Sequence, residues 1–189
     1  MRRPLLVLLA VLAAIGTAEV ALRWSAAARL SARTLEGRIA EAGPARAGQT
    51  LRWIQALRVR PEPGLVYDLR PGLDGTVEVG GSLTPLRTGP EGFRGPGYAR
   101  EKPAGTVRIA ALGDSFMMGS GLAEEDTIAA VLERRLGERF PDRRTEVINA
   151  GVAGYNLEQS VATLRHKVLG HGPDLVLVGL LENDLSRII

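Results

Sequence analysis

Cysteine is absent from this sequence of 189 residues. Its absence excludes disulfide bonds, thiolate metal ligands and a cysteine nucleophile among these residues. It does not fix the cellular compartment, because an exported protein can do without disulfides. Lysine is rare as well: Lys102 and Lys167 are its two instances, so arginine supplies most of the positive charge.

A concentrated basic patch is also lacking. The arginines are scattered along the chain, 21 acidic residues accompany them, and the formal net charge is +3. This distribution is not that of a nucleic-acid-binding surface, and we expect no nucleic-acid partner. Apolar residues make up 45% of the sequence, which predicts one globular domain with accessory segments rather than a disordered chain.

The amino terminus has the pattern of an export signal. Arg2 and Arg3 precede an apolar stretch over residues 4–22 that is about long enough to span a bilayer. The small residues Gly16, Thr17 and Ala18 would also suit cleavage after Ala18, which would make the segment a removable signal peptide. We favour an uncleaved anchor over residues 1–24, because apolar character continues past that position. The expected location is the inner membrane, with a single pass and the rest of the chain facing the periplasm or the outside; secretion after cleavage is the alternative.

Two segments separate the predicted anchor from the more regular part of the chain. Residues 25–60 are rich in alanine and arginine, and we interpret them as a helical juxtamembrane stalk with helices around residues 26–40 and 50–58. Residues 61–105 have glycines and prolines every few positions and short apolar stretches. They predict an irregular lead-in with two or three short strands.

Residues 106–189 alternate short apolar runs with amphipathic stretches. Strands are predicted around residues 107–112, 146–148 and 174–181, and helices around residues 126–140 and 157–168. This alternation is typical of βαβ units. We therefore expect an α/β fold with a parallel sheet.

Each predicted strand is followed by a residue suited to acyl transfer. Ser115 follows the first strand in a tight glycine turn, Gly154 follows the second, and Asn183 follows the third. Because the carboxyl ends of parallel strands lie at one edge of a sheet, these residues are expected to converge. A serine oxygen can act as the nucleophile, while the N–H groups of Ser115 and Gly154 and the Asn183 amide can donate to the developing oxyanion.

Three short motifs carry a family resemblance. GDSF at residues 113–116, NAGVAG at residues 149–154 and the pair Asn183-Asp184 resemble, in order and spacing, the first three sequence blocks of the SGNH (GDSL-type) hydrolases. The resemblance implies a flavodoxin-like, three-layer α/β/α fold without metal or cofactor. It also implies Ser115 as nucleophile and oxyanion donor. Gly154 and Asn183 would be the second and third donors.

The chemistry implied by this resemblance is the cleavage or transfer of an acyl group. Members of the family are esterases, lipases, thioesterases or carbohydrate O-acyl transferases. The expected substrate is therefore an ester, for example an acylated carbohydrate or a lipid. The motifs do not distinguish a hydrolase from an acyl transferase, and they leave protein partners open.

The final block of the family, an Asp-x-x-His, has no counterpart here. Neither His166 nor His171 has an aspartate three residues before it. Both histidines are expected as surface or capping residues, on the side of the sheet away from Ser115. A serine hydroxyl without a base is a weak nucleophile near neutral pH. We therefore expect residues 106–189 to be the amino-terminal part of such a domain, incomplete at its carboxyl end and inactive alone.

A different class of function remains open. The chain could be a non-catalytic cell-envelope module that keeps part of the fold for binding or assembly. A histidine base distinguishes the two interpretations, because the enzyme requires one and the module does not. Arg94, in the turn GFRGP, could contact a ligand in either case, although we expect it to have a structural role.

Overall fold

The structure, a computed structural model, describes residues 33–43, 49–60 and 62–181. Residues 33–42 form helix α1, in agreement with the helix predicted around residues 26–40 as far as that helix is described. Within the described ranges, no helix combines the length and the apolar character needed to cross a bilayer. The predicted anchor over residues 4–22 lies outside these ranges and stays a prediction.

The lead-in to the α/β part consists of short strands in two small sheets. The strands are β1 (Leu51–Arg52), β2 (Leu57–Val59), β3 (Tyr67–Leu69), β4 (Asp74–Val79) and β5 (Ser82–Arg87). Strands β1, β4 and β5 form one sheet in that order, and β2 pairs antiparallel with β3. The prediction of two or three short strands after residue 61 is confirmed by β3, β4 and β5.

The helix predicted over residues 50–58 is wrong. A single 3₁₀ turn, Trp53–Ala56, lies there between β1 and β2. Leu51 pairs with Val77 and Leu57 pairs with Leu69, so strands distant in sequence satisfy this backbone. The apolar spacing of three residues that suggested an α-helix also fits one 3₁₀ turn, and sequence alone does not separate the two.

The α/β part is built on three parallel strands. Its elements are β6 (Thr106–Gly113), α2 (Ser115–Met118), a 3₁₀ turn (Glu124–Asp126), α3 (Ile128–Arg139), β7 (Arg144–Gly151), α4 (Leu157–Thr163) and β8 (Leu175–Val178). A π-type turn (Leu164–Val168) and a 3₁₀ turn (Leu169–His171) connect α4 to β8. The strand order is β7-β6-β8, which places the first strand of this part in the centre.

Helices cover both faces of this sheet. On one face, Ala110 and Leu112 of β6 pack with Leu164 and Val168 of the π-type turn that follows α4. On the other face, Ile109 and Ala111 of β6 pack with Leu132 and Leu136 of α3. An apolar strand that is buried on both sides is what a central parallel strand requires. The described part is thus a mixed α/β structure with a parallel sheet, as predicted.

The lead-in shares a hydrophobic core with the α/β part. Leu57, Leu69 and Val77 lie in the same buried cluster as Met118 and Tyr155. Met118 belongs to the helix that follows β6, and Tyr155 precedes α4. The short strands are therefore stabilised by packing against the elements that position the carboxyl edge of the parallel sheet.

Candidate active site

Ser115 is the first residue of a short helix that begins directly beyond the central strand. Asp114 caps this helix, because its carboxylate accepts a hydrogen bond of 2.9 Å from the N–H of Phe116. A Cβ added at Gly113 would lie 2.7 Å from the carbonyl oxygen of Gly179, so a larger residue would not fit the turn. The serine side chain is thereby presented at the carboxyl edge of the sheet, half-buried.

The loop after β7 lies against this turn. The N–H of Val152 donates to the carbonyl oxygen of Gly113 at 3.1 Å, which joins the ends of the two strands. A Cβ added at Gly151 would lie 2.4 Å from the backbone nitrogen of Met118, so α2 approaches β7 through a space that requires glycine. The structure therefore brings the two loops that carry Ser115 and Gly154 together, as the sequence predicted.

Gly154 is exposed and has a φ of +85°, a conformation that favours glycine. A Cβ at this position would lie 2.8 Å from the hydroxyl oxygen of Tyr67. In the described part of the chain, neither the N–H of Gly154 nor that of Ser115 donates to a protein acceptor. Two backbone donors are thus available at one edge, and a helix N-terminus favours negative charge there.

The third predicted donor, Asn183, lies outside the described residues. Strand β8 ends level with β6, because the N–H of Gly179 donates to Leu112 at 2.8 Å. The chain is therefore directed toward the same edge as it leaves β8. The assignment of Asn183 stays a prediction.

Arg94 holds the loop that follows Ser115. Its side chain is buried, and it donates to the carbonyl oxygens of Met118 and Gly119 at 2.8 and 2.7 Å. It also reaches Pro85 on β5 at 3.0 Å and Leu122 at 2.7 Å. Burial lowers the pKa of this guanidinium below its ordinary value. The structural role expected for Arg94 is confirmed by these contacts.

The two histidines lie away from Ser115. His166 is exposed on the turn that precedes β8. His171 is 2% exposed, so of the two expected positions, surface or capping, the surface one is wrong for it. Its Nδ1 lies 3.2 Å from the carbonyl oxygen of Lys167, near the end of the helical segment, as a capping residue would. The ring of Phe93, in the lead-in, packs edge to face against the His171 ring, with the two ring centroids 5.1 Å apart. The carbonyl oxygen of His171 accepts from Arg108 at 2.6 Å, which places the histidine beside the amino-terminal half of β6.

Sequence reasoning missed a buried charge cluster around Asp68. This aspartate is fully buried and accepts from Lys167 at 2.9 and 3.1 Å and from Arg58 at 2.9 Å. Lys167 also lies 4.1 Å from the centre of the Phe93 ring. Burial lowers the pKa of Lys167, and Asp68 partly opposes that shift. Nothing in the sequence pairs these residues, since 99 positions separate them.

A metal centre is not indicated in the part of the chain that the structure describes. No three histidine or acidic side chains group there as a metal ion would require. The expectation that the protein needs no metal or cofactor was made from the family resemblance, and it stays a prediction.

Comparisons with known proteins found similarity among solved structures. No protein-family model matches the chain, and no curated protein matches it. Among solved structures, it is similar to the crystal structure of AlinE4, an SGNH-hydrolase family esterase, with 31% sequence identity and a TM-score of 0.38. A mutant of the same esterase gives the same values. The match covers 46% of this chain and 46% of the esterase, so the chain spans about half the length of the proteins it matches.

Proposed function

We propose that this chain carries the nucleophile, Ser115, and the three oxyanion donors, Ser115, Gly154 and Asn183, of an SGNH-type serine hydrolase that acts on ester bonds. One observation carries the proposal. The half-buried Ser115 begins a helix directly beyond the central strand, and the exposed Gly154 lies on the adjoining loop. Both residues keep an N–H without a protein acceptor within the described ranges.

In the proposed reaction, the Ser115 oxygen attacks the carbonyl carbon of the ester and loses its proton to a base. The carbonyl oxygen becomes an oxyanion, which the N–H groups of Ser115 and Gly154 and the Asn183 amide stabilise. Collapse of this intermediate leaves an acyl group on Ser115 and releases the alcohol, whose oxygen takes up the proton from the base. Water, activated by the same base, then releases the acid and restores the serine.

The base of this reaction must come from outside the described residues. His171 is buried beside the amino-terminal half of β6, and His166 precedes β8. Neither is at the carboxyl edge, where the Ser115 proton would be removed. The resemblance to the family implies that an Asp-x-x-His block would supply the base.

We further propose that residues 4–22 anchor the protein in the inner membrane, which would place the site on the far side from the cytoplasm. Esters of envelope carbohydrates or lipids would be accessible there. Cell fractionation followed by mass spectrometry of the mature amino terminus tests this. A soluble species that begins at Glu19 would instead indicate a cleaved signal peptide.

The nucleophile is tested on the natural, full-length protein with short-chain acyl esters and a fluorophosphonate probe. We expect the probe to modify Ser115, and Ser115→Ala to abolish both labelling and turnover. Ser120→Ala is the matched control, because Ser120 lies in the same loop and its buried hydroxyl oxygen has no hydrogen-bond partner among the described residues.

The third donor is tested in the same assay. Asn183→Ala should lower turnover by about 100- to 1000-fold while the fold stays intact. Full turnover in Ser115→Ala would contradict the assignment of the nucleophile. Absence of turnover in the wild-type protein would favour the non-catalytic envelope module.

A further inference from the structure

The hydroxyl group of Tyr67 donates a hydrogen bond of 3.2 Å to the carbonyl oxygen of Ala153. That carbonyl and the N–H of Gly154 belong to the same peptide group. We propose that Tyr67 is a positioning residue, which orients the Gly154 N–H toward the oxyanion of the reaction. This inference rests on the proposed function.

The peptide group transmits the effect of the hydroxyl. Because the group is planar, a hydrogen bond that holds its C=O also fixes the direction of its N–H. A hydrogen bond accepted by the C=O polarises the group as well, which makes the N–H a stronger donor. Such a fixed donor costs little reorganisation when the oxyanion forms.

Tyr67 is itself held in place from the other side. The hydroxyl of Tyr155 donates to the carbonyl oxygen of Tyr67 at 2.6 Å, and the two rings meet edge to face with centroids 5.3 Å apart. Tyr155 is 1% exposed, and burial raises its pKa well above the ordinary value, so its hydroxyl stays protonated and remains a donor. Pairing of Tyr67 with Val59 fixes its backbone in β3.

Gly154 and Tyr67 fit one another. The Tyr67 hydroxyl lies 2.8 Å from the position that a Cβ of residue 154 would take, so it occupies the space that the glycine leaves. The lead-in strand β3 therefore contributes directly to the geometry of the site. A role limited to packing would need the ring of Tyr67 but not its hydroxyl.

Tyr67→Phe isolates the hydroxyl, because it keeps the ring and its packing. Tyr98→Phe is the matched control: its hydroxyl bonds Glu133 on α3, away from Gly154. The first measurement is by NMR on the full chain and needs no turnover. In Tyr67→Phe, the carbonyl carbon of Ala153 and the amide nitrogen of Gly154 should shift, and in Tyr98→Phe they should not.

The second measurement is kinetic. Tyr67→Phe should lower kcat by about two- to tenfold, the effect of one ordinary neutral hydrogen bond, with little change in KM. Tyr98→Phe should leave both constants unchanged.

The two measurements separate this inference from the proposed function. Unchanged Ala153 and Gly154 shifts in Tyr67→Phe would overturn the positioning role whether or not the protein hydrolyses esters. Changed shifts with an unchanged kcat in an active protein would overturn it too. If wild-type protein shows no turnover, the proposed function fails, and the shifts alone decide whether Tyr67 orients the Gly154 peptide.

Discussion

The two ends of the parallel sheet each hold a buried arginine, but the groups that bind the two guanidinium groups differ. At the amino-terminal end, Arg108 of β6 is 0% exposed and bonds the carboxylate of Glu146 on β7 at 2.6 and 2.8 Å. At the carboxyl end, Arg94 donates to four backbone carbonyl groups. No carboxylate bonds Arg94 within the described ranges.

This difference distinguishes the end of the sheet that an ion pair joins from the end at which the active site is proposed. The pair of Arg108 and Glu146 joins neighbouring strands and leaves no net charge behind. Arg94 keeps its positive charge close to the loop that carries Ser115, and neutral dipoles fix its position. A fixed positive charge near a developing oxyanion is favourable, whereas a carboxylate there would oppose the reaction.

The largest expected loss of stability follows a substitution at the amino-terminal end of the parallel sheet. Arg108→Met leaves Glu146 buried with one partner, the largely exposed Arg144 at 3.0 Å. Loss of one member of a buried ion pair should lower the free energy of unfolding by about 3–5 kcal/mol. Urea denaturation measures this loss.

Arg144→Ala is the control for that variant, because it removes the exposed partner of the same carboxylate and should cost less than about 1 kcal/mol. The double variant Arg108→Met with Glu146→Leu should regain much of the stability, since no unpaired charge remains. If Arg108→Met lowered the free energy of unfolding no more than Arg144→Ala, the buried ion pair would not stabilise the sheet as proposed.

At the carboxyl end, Arg94→Met should affect both stability and reactivity. It removes charge-assisted hydrogen bonds to the loop after Ser115, which should cost about 2–3 kcal/mol. Unlike Arg108→Met, it should also slow fluorophosphonate labelling of Ser115 in protein that is still folded. Urea denaturation and the rate of fluorophosphonate labelling are measured on both variants. Labelling of folded Arg94→Met at the wild-type rate would contradict the difference between the two ends.

A smaller effect is expected where α2 contacts β7. Gly151→Ala introduces a Cβ that would lie 2.4 Å from the nitrogen of Met118, so α2 must move. Such overpacking should cost about 1–3 kcal/mol and displace Ser115.

Gly137→Ala in α3 is the matched control, because no atom lies within 4 Å of its Cβ position. Alanine in a helix interior should raise stability there by about 0.5–1 kcal/mol. Equal effects of these two substitutions would contradict the close approach of α2.

The smallest expected loss of stability follows removal of a partly exposed ion pair. This pair is a reference for the buried pair of Arg108 and Glu146. Arg60 bonds Glu62 at 2.6 Å and lowers the pKa of this carboxyl below its ordinary value of 4.5. Because the unfolded state then binds more protons, the contribution to stability is present above pH 4.5 and is lost as the pH falls through the folded-state pKa.

Glu62→Gln should therefore lower stability by less than about 1 kcal/mol at neutral pH. The difference in Tm from wild type should disappear in acid. If the difference in Tm grew as the pH fell, the ion pair would not lower the pKa of Glu62 in the folded state, contrary to the prediction.

The α/β part was predictable because its signals are local. The run from Val107 to Leu112 is apolar except for Arg108, and buried strands of this kind are read directly from sequence. The order with β6 in the centre and the meeting of the loops at Ser115 and Gly154 followed from general rules for parallel sheets. The side-chain geometry of Asn183 lies outside what the structure describes.

The lead-in was less predictable because its strands are short and their partners are distant. Residues 51–59 show the spacing of a helix, yet pairing with β3 and β4 makes them strands around one turn. Burial of His171 depends on Phe93, which no local pattern links to it. Propensity is a weak guide where tertiary packing supplies most of the stability.

Hydrophobic periodicity and glycine turns act over a few residues, so the alternation of strands and helices and the positions of Ser115 and Gly154 could be derived from the sequence. The contacts that hold those residues in place arise only in the tertiary structure. Arg94 reaches Met118 across 24 positions, and Tyr67 reaches Ala153 across 86. Such contacts form when separate segments are buried together, and no pattern within either segment records them.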